Sequence, residues 1–136
     1  MIDLAIEIAK NAHKGQIDKA DEEYIKHSLY VTSLMKSENE KTVALLHDVV
    51  EDSDITIADL IDSVLPKDII IALKLLTKSD DIEYCNYIKK IESNELAQAV
   101  KIADLVHNLD LTRLKKITEK DLLRVKKCKK ALEYLI

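Results

Sequence analysis

The stretch of sequence that decides the fold is residues 43–52, which read Val43-Ala44-Leu45-Leu46-His47-Asp48-Val49-Val50-Glu51-Asp52. Apolar residues occupy most of the circumference that this stretch has as a helix, so we predict a helix that is largely buried. Its four polar side chains fall at positions i, i+1, i+4 and i+5 and form one contiguous sector. Burying several carboxylates beside an imidazole costs free energy unless a divalent cation or basic side chains compensate their charge.

Two interpretations of this polar sector are open. The first is a helix end whose acids face water, and for Asp52 alone we favour it. The second is a functional site, which we favour for the adjacent pair His47-Asp48 because four apolar residues precede it. A divalent metal ion would compensate the charge of this site, because imidazole and carboxylate groups are both common metal ligands.

A second apolar stretch, residues 96–109, is interrupted in the same way. Lys101, Asp104 and Asn108 fall at i, i+3 and i+7 and therefore share one face of a predicted helix. Taken alone, Lys101 and Asp104 would be interpreted as an ion pair on an exposed strip. Polar residues interrupt two apolar helices in one small domain. This favours a common partner inside the domain that contacts both polar faces.

The remainder of the chain is also helical in pattern, which predicts an all-α fold. The sequence contains one glycine and one proline, Gly15 and Pro66, so little material is available for the turns that strands need. Helix starts are indicated by Ser37 with Glu40, which opens a helix over 38–52, and by Thr118 with Asp121. We predict a single domain, residues 1–136, of about seven to eight helices. Glycine-rich nucleotide-binding loops are excluded by composition.

Composition indicates a soluble globular protein without a general affinity for nucleic acid. Of the 136 residues, 47% are hydrophobic and 34% are charged, and the formal net charge is −4. The basic run at Arg124 and 126–130 flanks an apolar helical stripe, so we interpret it as a solvated face. The apolar stretch at 69–73 is far too short to span a membrane.

We expect a cytoplasmic protein. The two cysteines, Cys85 and Cys128, form no metal-binding or redox motif and are interpreted as reduced thiols, and residues 1–14 lack a signal-peptide pattern. The sequence leaves the oligomeric state open between a monomer and a small homo-oligomer.

The polar residues also carry a family resemblance. His27, the pair His47-Asp48 and the distant Asp104 resemble the H…HD…D signature of the HD phosphohydrolase superfamily. Further segments resemble the RelA/SpoT-type guanosine tetraphosphate (ppGpp) hydrolase domain, in order along nearly the whole chain. They are Ala12-His13-Lys14-Gly15-Gln16, Tyr24-Ile25-Lys26-His27, Leu45 to Asp52, Leu76-Thr77-Lys78 and Val100 to Asn108. The segment 104–113 also looks like that of small stand-alone bacterial HD proteins.

This resemblance implies an all-α HD-domain helical bundle with a divalent metal, Mn²⁺ in the first place and Fe²⁺, Mg²⁺ or another transition metal as alternatives. The implied metal ligands are His27, His47, Asp48 and Asp104. The implied catalytic residues, which position or activate the attacking water, are Glu51 and Asp52. The candidate substrate-binding residues are Lys19, Tyr24, Lys78, Lys101 and Asn108. His107 is left out of the ligand set.

The resemblance therefore predicts a metal-dependent phosphohydrolase acting on a small-molecule nucleotide pyrophosphate ester, with ppGpp as the leading candidate. Asp18 stands where these hydrolases usually carry an arginine associated with the guanine base, so the base specificity is open. One alternative is a nucleotidase or another HD-type phosphomonoesterase or diesterase. Another is a non-catalytic metal- or nucleotide-binding regulatory module, against which the presence of Glu51 and Asp52 argues.

Overall fold

The predicted all-α architecture is confirmed. The computed structural model describes residues 1–136 and contains nine α-helices, one 3-10 turn and no β-strand apart from a single bridge between Ile17 and Glu23. The helices are α1 (Ile2–Ala12), α2 (Ile25–Ser33), α3 (Glu38–Leu46), α4 (Val49–Asp52), α5 (Ile57–Ile61), α6 (Lys67–Leu76), α7 (Tyr84–Glu92), α8 (Glu95–Asn108) and α9 (Glu119–Leu135), and the 3-10 turn is Leu111–Arg113. None of them has the length and apolar composition that a membrane crossing requires.

Helix α3 lies at the centre of the bundle, as its apolar circumference predicts. It packs against α1, α2, α6 and α8. The four residues Val43 to Leu46 are buried on every side of the helix, with at most 1% of any of them exposed. On α1 the residues buried in the core are Ala5 and Ala9, whose small side chains allow helices to approach closely. The chain leaving α3 therefore starts from the interior of the molecule.

The predicted continuous helix over 38–52 is wrong at one point, because α3 ends at Leu46 and α4 begins at Val49. The ring of His47 donates from Nδ1 to the carbonyl of Ala44 at 2.5 Å. A continuous helix would offer that carbonyl to the N–H of Asp48, so the side chain competes with the regular backbone ladder. The break adds one helix to the predicted number and turns His47 and Asp48 towards α2 and α8.

The predicted helix starts at Ser37 and Thr118 are both confirmed as complete capping boxes with Glu40 and Asp121. In each box the hydroxyl accepts a hydrogen bond from the third backbone N–H, and the acid accepts one from the cap's own N–H. Gly15, with φ of +79°, lies in the turn that follows α1, a conformation that suits glycine.

Candidate metal centre and substrate pocket

The structure brings the four predicted metal ligands together from three parts of the chain. His27 comes from α2, His47 and Asp48 from the break between α3 and α4, and Asp104 from α8. One ligand atom from each residue lies within 4.8 Å of the others. His27, His47 and Asp104 are buried, and Asp48 is partly exposed. A compact set of two imidazoles and two carboxylates is a donor set that suits a divalent transition metal.

The hydrogen bonding of His47 tests whether a cation fits this site. Its Nδ1–H is used on Ala44, so Nε2 of the neutral ring presents a lone pair. This Nε2 is buried without a hydrogen-bond partner and lies 3.1 Å from an Asp48 oxygen and 3.5 Å from an Asp104 oxygen. Burial lowers the pKa of His47, but the charges of Asp48 and Asp104 raise it well above its ordinary value, because the two acids stabilise a positive charge at this position. A divalent cation would supply that positive charge in place of the second ring proton, between Nε2 and the two carboxylate oxygens, and the residues therefore fit a metal ion.

His27 is held by a residue that the sequence interpretation left out. The Nδ1 atoms of His27 and His107 are 2.7 Å apart, and the two rings are nearly parallel, with their centroids 5.0 Å apart. Burial and the positive charge of Arg113 lower the pKa of His107 to about 4, so this ring is neutral at pH 7 and accepts the His27 Nδ1–H. That bond leaves Nε2 of His27 facing the acids, 2.8 Å from Asp104. The family resemblance includes His107 in the segment Val100 to Asn108 but implies no role for it.

Asp104 is held in place by both of its predicted neighbours on α8. Lys101 donates to Oδ2 at 3.0 Å, and the Asn108 amide donates to Oδ1 at 3.1 Å. The Lys101–Asp104 ion pair considered from the sequence does exist, but it is largely buried rather than on an exposed strip. Burial alone would raise the pKa of Asp104. The charge of Lys101 and the two histidines outweigh this effect and hold the pKa well below its usual range. Asp104 is therefore an anion, as a metal ligand must be.

Tyr24 reaches the same centre from the loop before α2. Its hydroxyl donates to Oδ2 of Asp48 at 2.8 Å. Burial, followed by the charge of Asp48, raises the pKa of Tyr24, so the phenol keeps its proton. Tyr24 therefore orients one of the two acids while lining the space in front of them.

A cavity of about 540 Å³ opens in front of the four ligands, and three of them, His27, Asp48 and Asp104, form part of its wall. Four of the five predicted substrate-binding residues also line it, namely Lys19, Tyr24, Lys101 and Asn108. Its volume falls within the range of small-molecule sites.

Sequence reasoning missed two further cationic residues of this cavity, Arg113 and Arg124. Arg113 donates from Nη2 to Asp18 at 2.8 Å, which pairs residues 95 positions apart. Arg124, interpreted from the sequence as part of a solvated face, is largely buried and donates to the carbonyl of Asn108 at 2.7 Å. Its spacing from the neighbouring lysines gives no signal of this orientation.

The structure places Glu51, Asp52 and Lys78 outside the wall of this cavity. Glu51 accepts a hydrogen bond from the backbone N–H of Lys78, whose own ammonium donates to the carbonyl of Ser79. Partial burial raises the pKa of Glu51, and the nearby charge of Asp48 adds to this increase. Burial and Asp48 raise the pKa of Asp52 in the same way. Both acids lie on α4, about one turn after the predicted metal ligands His47 and Asp48.

Comparison with known proteins shows the fold. No protein-family model matches the chain. One solved structure that is similar is described as a metazoan ortholog of SpoT that hydrolyses ppGpp and plays a role in starvation responses. The two share a TM-score of 0.80 at 23% sequence identity, over 98% of this chain and 84% of that chain. This likeness confirms the all-α helical-bundle fold expected from the sequence.

Proposed function

We propose that this protein is a metal-dependent phosphohydrolase that acts on a nucleotide pyrophosphate ester, with ppGpp as the first substrate to test. The observation that carries the proposal is the juxtaposition of a two-histidine, two-aspartate cluster with a cavity lined by lysine and arginine side chains. The fold shared with a solved protein described as hydrolysing ppGpp supports this choice of substrate class.

The proposed ligands of the ion are His27, His47, Asp48 and Asp104, and we propose Mn²⁺ before Fe²⁺ or Mg²⁺. A divalent ion supplies Lewis-acid polarisation of a phosphoryl oxygen and acidifies water. The bonds that His47 donates to Ala44 and that His27 donates to His107 fix the histidine rings. Tyr24, Lys101 and Asn108 donate the bonds that fix the acids. The chain therefore supplies a preorganised set of donors.

The cavity also supplies charge for an anionic substrate. Lys19 is exposed and forms no ion pair, so its ammonium is free to bind phosphate. Arg113 and Arg124 are held by Asp18 and Asn108, which fixes their guanidinium groups at the wall. We propose that these three residues hold the phosphates, because guanidinium groups suit phosphate oxygens. Lys78 contributes at most from outside the cavity.

We propose that Glu51 orients or deprotonates the attacking water, with Asp52 assisting. Burial raises the pKa of Glu51, and a raised pKa makes a carboxylate a stronger base, which suits this role. The Glu51→Gln variant should keep its metal affinity and lose activity by about 100-fold or more, the usual contribution of a general base. Unchanged turnover in this variant would remove Glu51 from the mechanism.

The first experiment is the release of pyrophosphate from ppGpp by metal-stripped protein, with and without Mn²⁺. We expect release only with the metal, and none from an Asp48→Asn variant under the same conditions. A folded, metal-loaded protein that releases nothing from ppGpp would exclude this substrate. The same assay with a panel of nucleotides would then separate a hydrolase from a binding module.

The Asp18–Arg113 pair keeps a second candidate open, a nucleotidase or another HD-type phosphohydrolase with a different base. Asp18 places a carboxylate at the wall where the resemblance leads us to expect an arginine. A carboxylate accepts hydrogen bonds and an arginine only donates them, so the two favour different base edges. Equal or faster turnover of a nucleotide other than ppGpp in the panel would favour this candidate.

Three further aspects of the proposal rest on the chain as a whole. We propose a cytoplasmic enzyme, in keeping with Cys85 and Cys128, which are free thiols. We also propose a small-molecule nucleotide rather than nucleic acid as its partner, in keeping with the net charge of −4. A monomer or a small homo-oligomer remains our prediction, which sedimentation of the purified protein would test.

A further inference from the structure

A second cavity, of about 420 Å³, lies between α7 and α9, and we call it the α7–α9 groove. Its wall is formed by ten residues: Tyr84, Cys85, Ile88, Lys89, Leu123, Lys126, Lys127, Lys130, Ala131 and Tyr134. None of them lines the cavity in front of the metal ligands. The volume is within the range of sites for small molecules.

All the charged side chains that line this groove are positively charged. All four of its residues that are not hydrophobic are lysines, one from α7 and three from α9, and no carboxylate lines it. The chain as a whole has more acids than bases, with a net charge of −4, so its composition does not account for this cluster. Like charges gathered around a concave apolar surface repel one another and attract an anion.

The apolar part of the groove has a floor and two aromatic side chains. Ile88 and Ala131 are buried and form the floor, with 3% and 5% of their surface exposed. Tyr84 and Tyr134 come from opposite helices, and Tyr134 is 45% exposed. The Lys127 ammonium lies 4.0 Å from the centroid of the Tyr84 ring, a cation–π contact that keeps a charge at the edge of the apolar surface.

We propose that the α7–α9 groove binds a small anionic molecule with an apolar or aromatic body. The body would lie on Ile88 and Ala131 between the two tyrosines, and its carboxylate, phosphate or sulfonate would face the lysines. Such a ligand would match both properties of the groove. The apolar floor alone would need no anionic group on the ligand, and the lysines alone would need no apolar body. The site is independent of the proposed hydrolysis, and its test uses no turnover.

A pair of fluorescent probes tests the proposal. They are 8-anilinonaphthalene-1-sulfonate and N-phenyl-1-naphthylamine, which has the same aromatic body without the sulfonate. We expect saturable binding of the sulfonate at one site on the folded chain, with an affinity about fivefold or more above that of the neutral probe. Equal affinities for both probes would overturn the proposal and indicate an apolar surface for a protein segment instead.

Two double variants with the same change of charge locate the site. Lys126→Glu with Lys130→Glu reverses two charges of the groove, whereas Lys120→Glu with Lys129→Glu reverses two on the same helix outside it. All four lysines are exposed, so the fold should tolerate these changes, and circular dichroism would check it. The first variant should lose sulfonate affinity by about tenfold, and the second by less than about twofold. Equal losses of sulfonate affinity in the two double variants would mean that the probe does not bind in the α7–α9 groove.

A variant of the apolar wall provides a second, independent test. Tyr134→Ser removes one aromatic ring from an exposed position and leaves every lysine in place. We expect it to weaken the binding of both probes, because the body they share loses its contact. A Tyr134→Ser protein that binds the sulfonate as tightly as the parent would contradict the proposed position of the ligand.

Discussion

At the scale of single residues, the proposed metal centre depends on side chains that do not belong to the predicted ligand set. His107 is neutral and accepts the Nδ1–H of His27, and the ring of Tyr30 stacks on that of His107 at 4.2 Å between centroids. Such bonds fix the tautomer and the orientation of a ligating histidine. His107 is therefore a positioning residue for the proposed centre.

Replacing His107 by alanine should weaken the binding of Mn²⁺ by about 10- to 100-fold, because His27 loses the bond that orients it. Isothermal titration of metal-stripped protein measures this affinity. The matched control is Val106→Ala on the same helix, which is 44% exposed and should leave the affinity unchanged. His107→Gln, whose amide oxygen also accepts a hydrogen bond, should recover part of the loss. Full affinity in His107→Ala would contradict this role.

At the scale of elements, α9 connects two different surfaces. Arg124 on this helix lines the cavity in front of the proposed metal ligands, and the nearby Lys127 lines the α7–α9 groove. The capping box at Thr118 starts the helix, with the hydroxyl accepting from Asp121 N at 3.3 Å and donating to its carboxylate at 2.9 Å. The capping box therefore fixes where α9 begins, and α9 carries residues of both surfaces.

Replacing Thr118 by alanine should lower the free energy of unfolding by about 1 kcal/mol, the usual cost of losing an N-cap side chain. Urea denaturation measures this change. Thr118→Ser keeps the hydroxyl and is expected to retain most of the stability. If both variants lost the same amount, the hydroxyl would not be the cause.

The pH dependence of this cap provides a second check. Hydrogen bonds from Thr118 lower the pKa of Asp121 below its ordinary value of 3.8. The stability contributed by this carboxylate is therefore present above that value and is lost as the pH falls through the lowered pKa. The stability difference between the parent and Thr118→Ala should shrink when unfolding is measured below about pH 4. If the stability difference between the two proteins stayed constant with pH, its cause would be the helix propensity of residue 118 alone.

At the scale of the whole molecule, the proposed ligands join α2, α8 and the α3–α4 break. A metal that binds only the folded chain at 100 times its Kd should add about 2.7 kcal/mol of stability. Thermal unfolding of metal-stripped protein should accordingly shift upwards by roughly 10 °C when Mn²⁺ is added. An Asp48→Asn protein should show little shift. The same large shift in that variant would mean that the ion binds elsewhere.

The Asp18–Arg113 pair lies in the wall of the cavity in front of the proposed metal ligands. Asp18 also accepts hydrogen bonds from the backbone of Ala20 and Glu22, so the pair connects the loop before α2 to the segment after α8. A double-mutant cycle with Asp18→Ala and Arg113→Met should give a coupling of about 1 kcal/mol in urea denaturation. A coupling near zero would mean that the two segments hold their positions independently.

Much of the fold follows from local sequence. The capping boxes at Ser37 and Thr118 and the burial of α3 depend on residues close together in the chain, so their patterns predict them. The ordered resemblance also named the four residues that cluster at the proposed centre. Local patterns failed at the α3–α4 break, where a bond from the His47 side chain competes with the backbone ladder.

Only the tertiary structure decided which other residues serve the site. His107 lies 80 residues from the His27 ring that it holds, and Arg113 lies 95 residues from its partner Asp18. The position of Arg124 depends on how α9 packs against α8. The physical reason is that helical periodicity specifies which face of a helix is apolar. The neighbour that meets each polar atom is set by how the whole bundle packs.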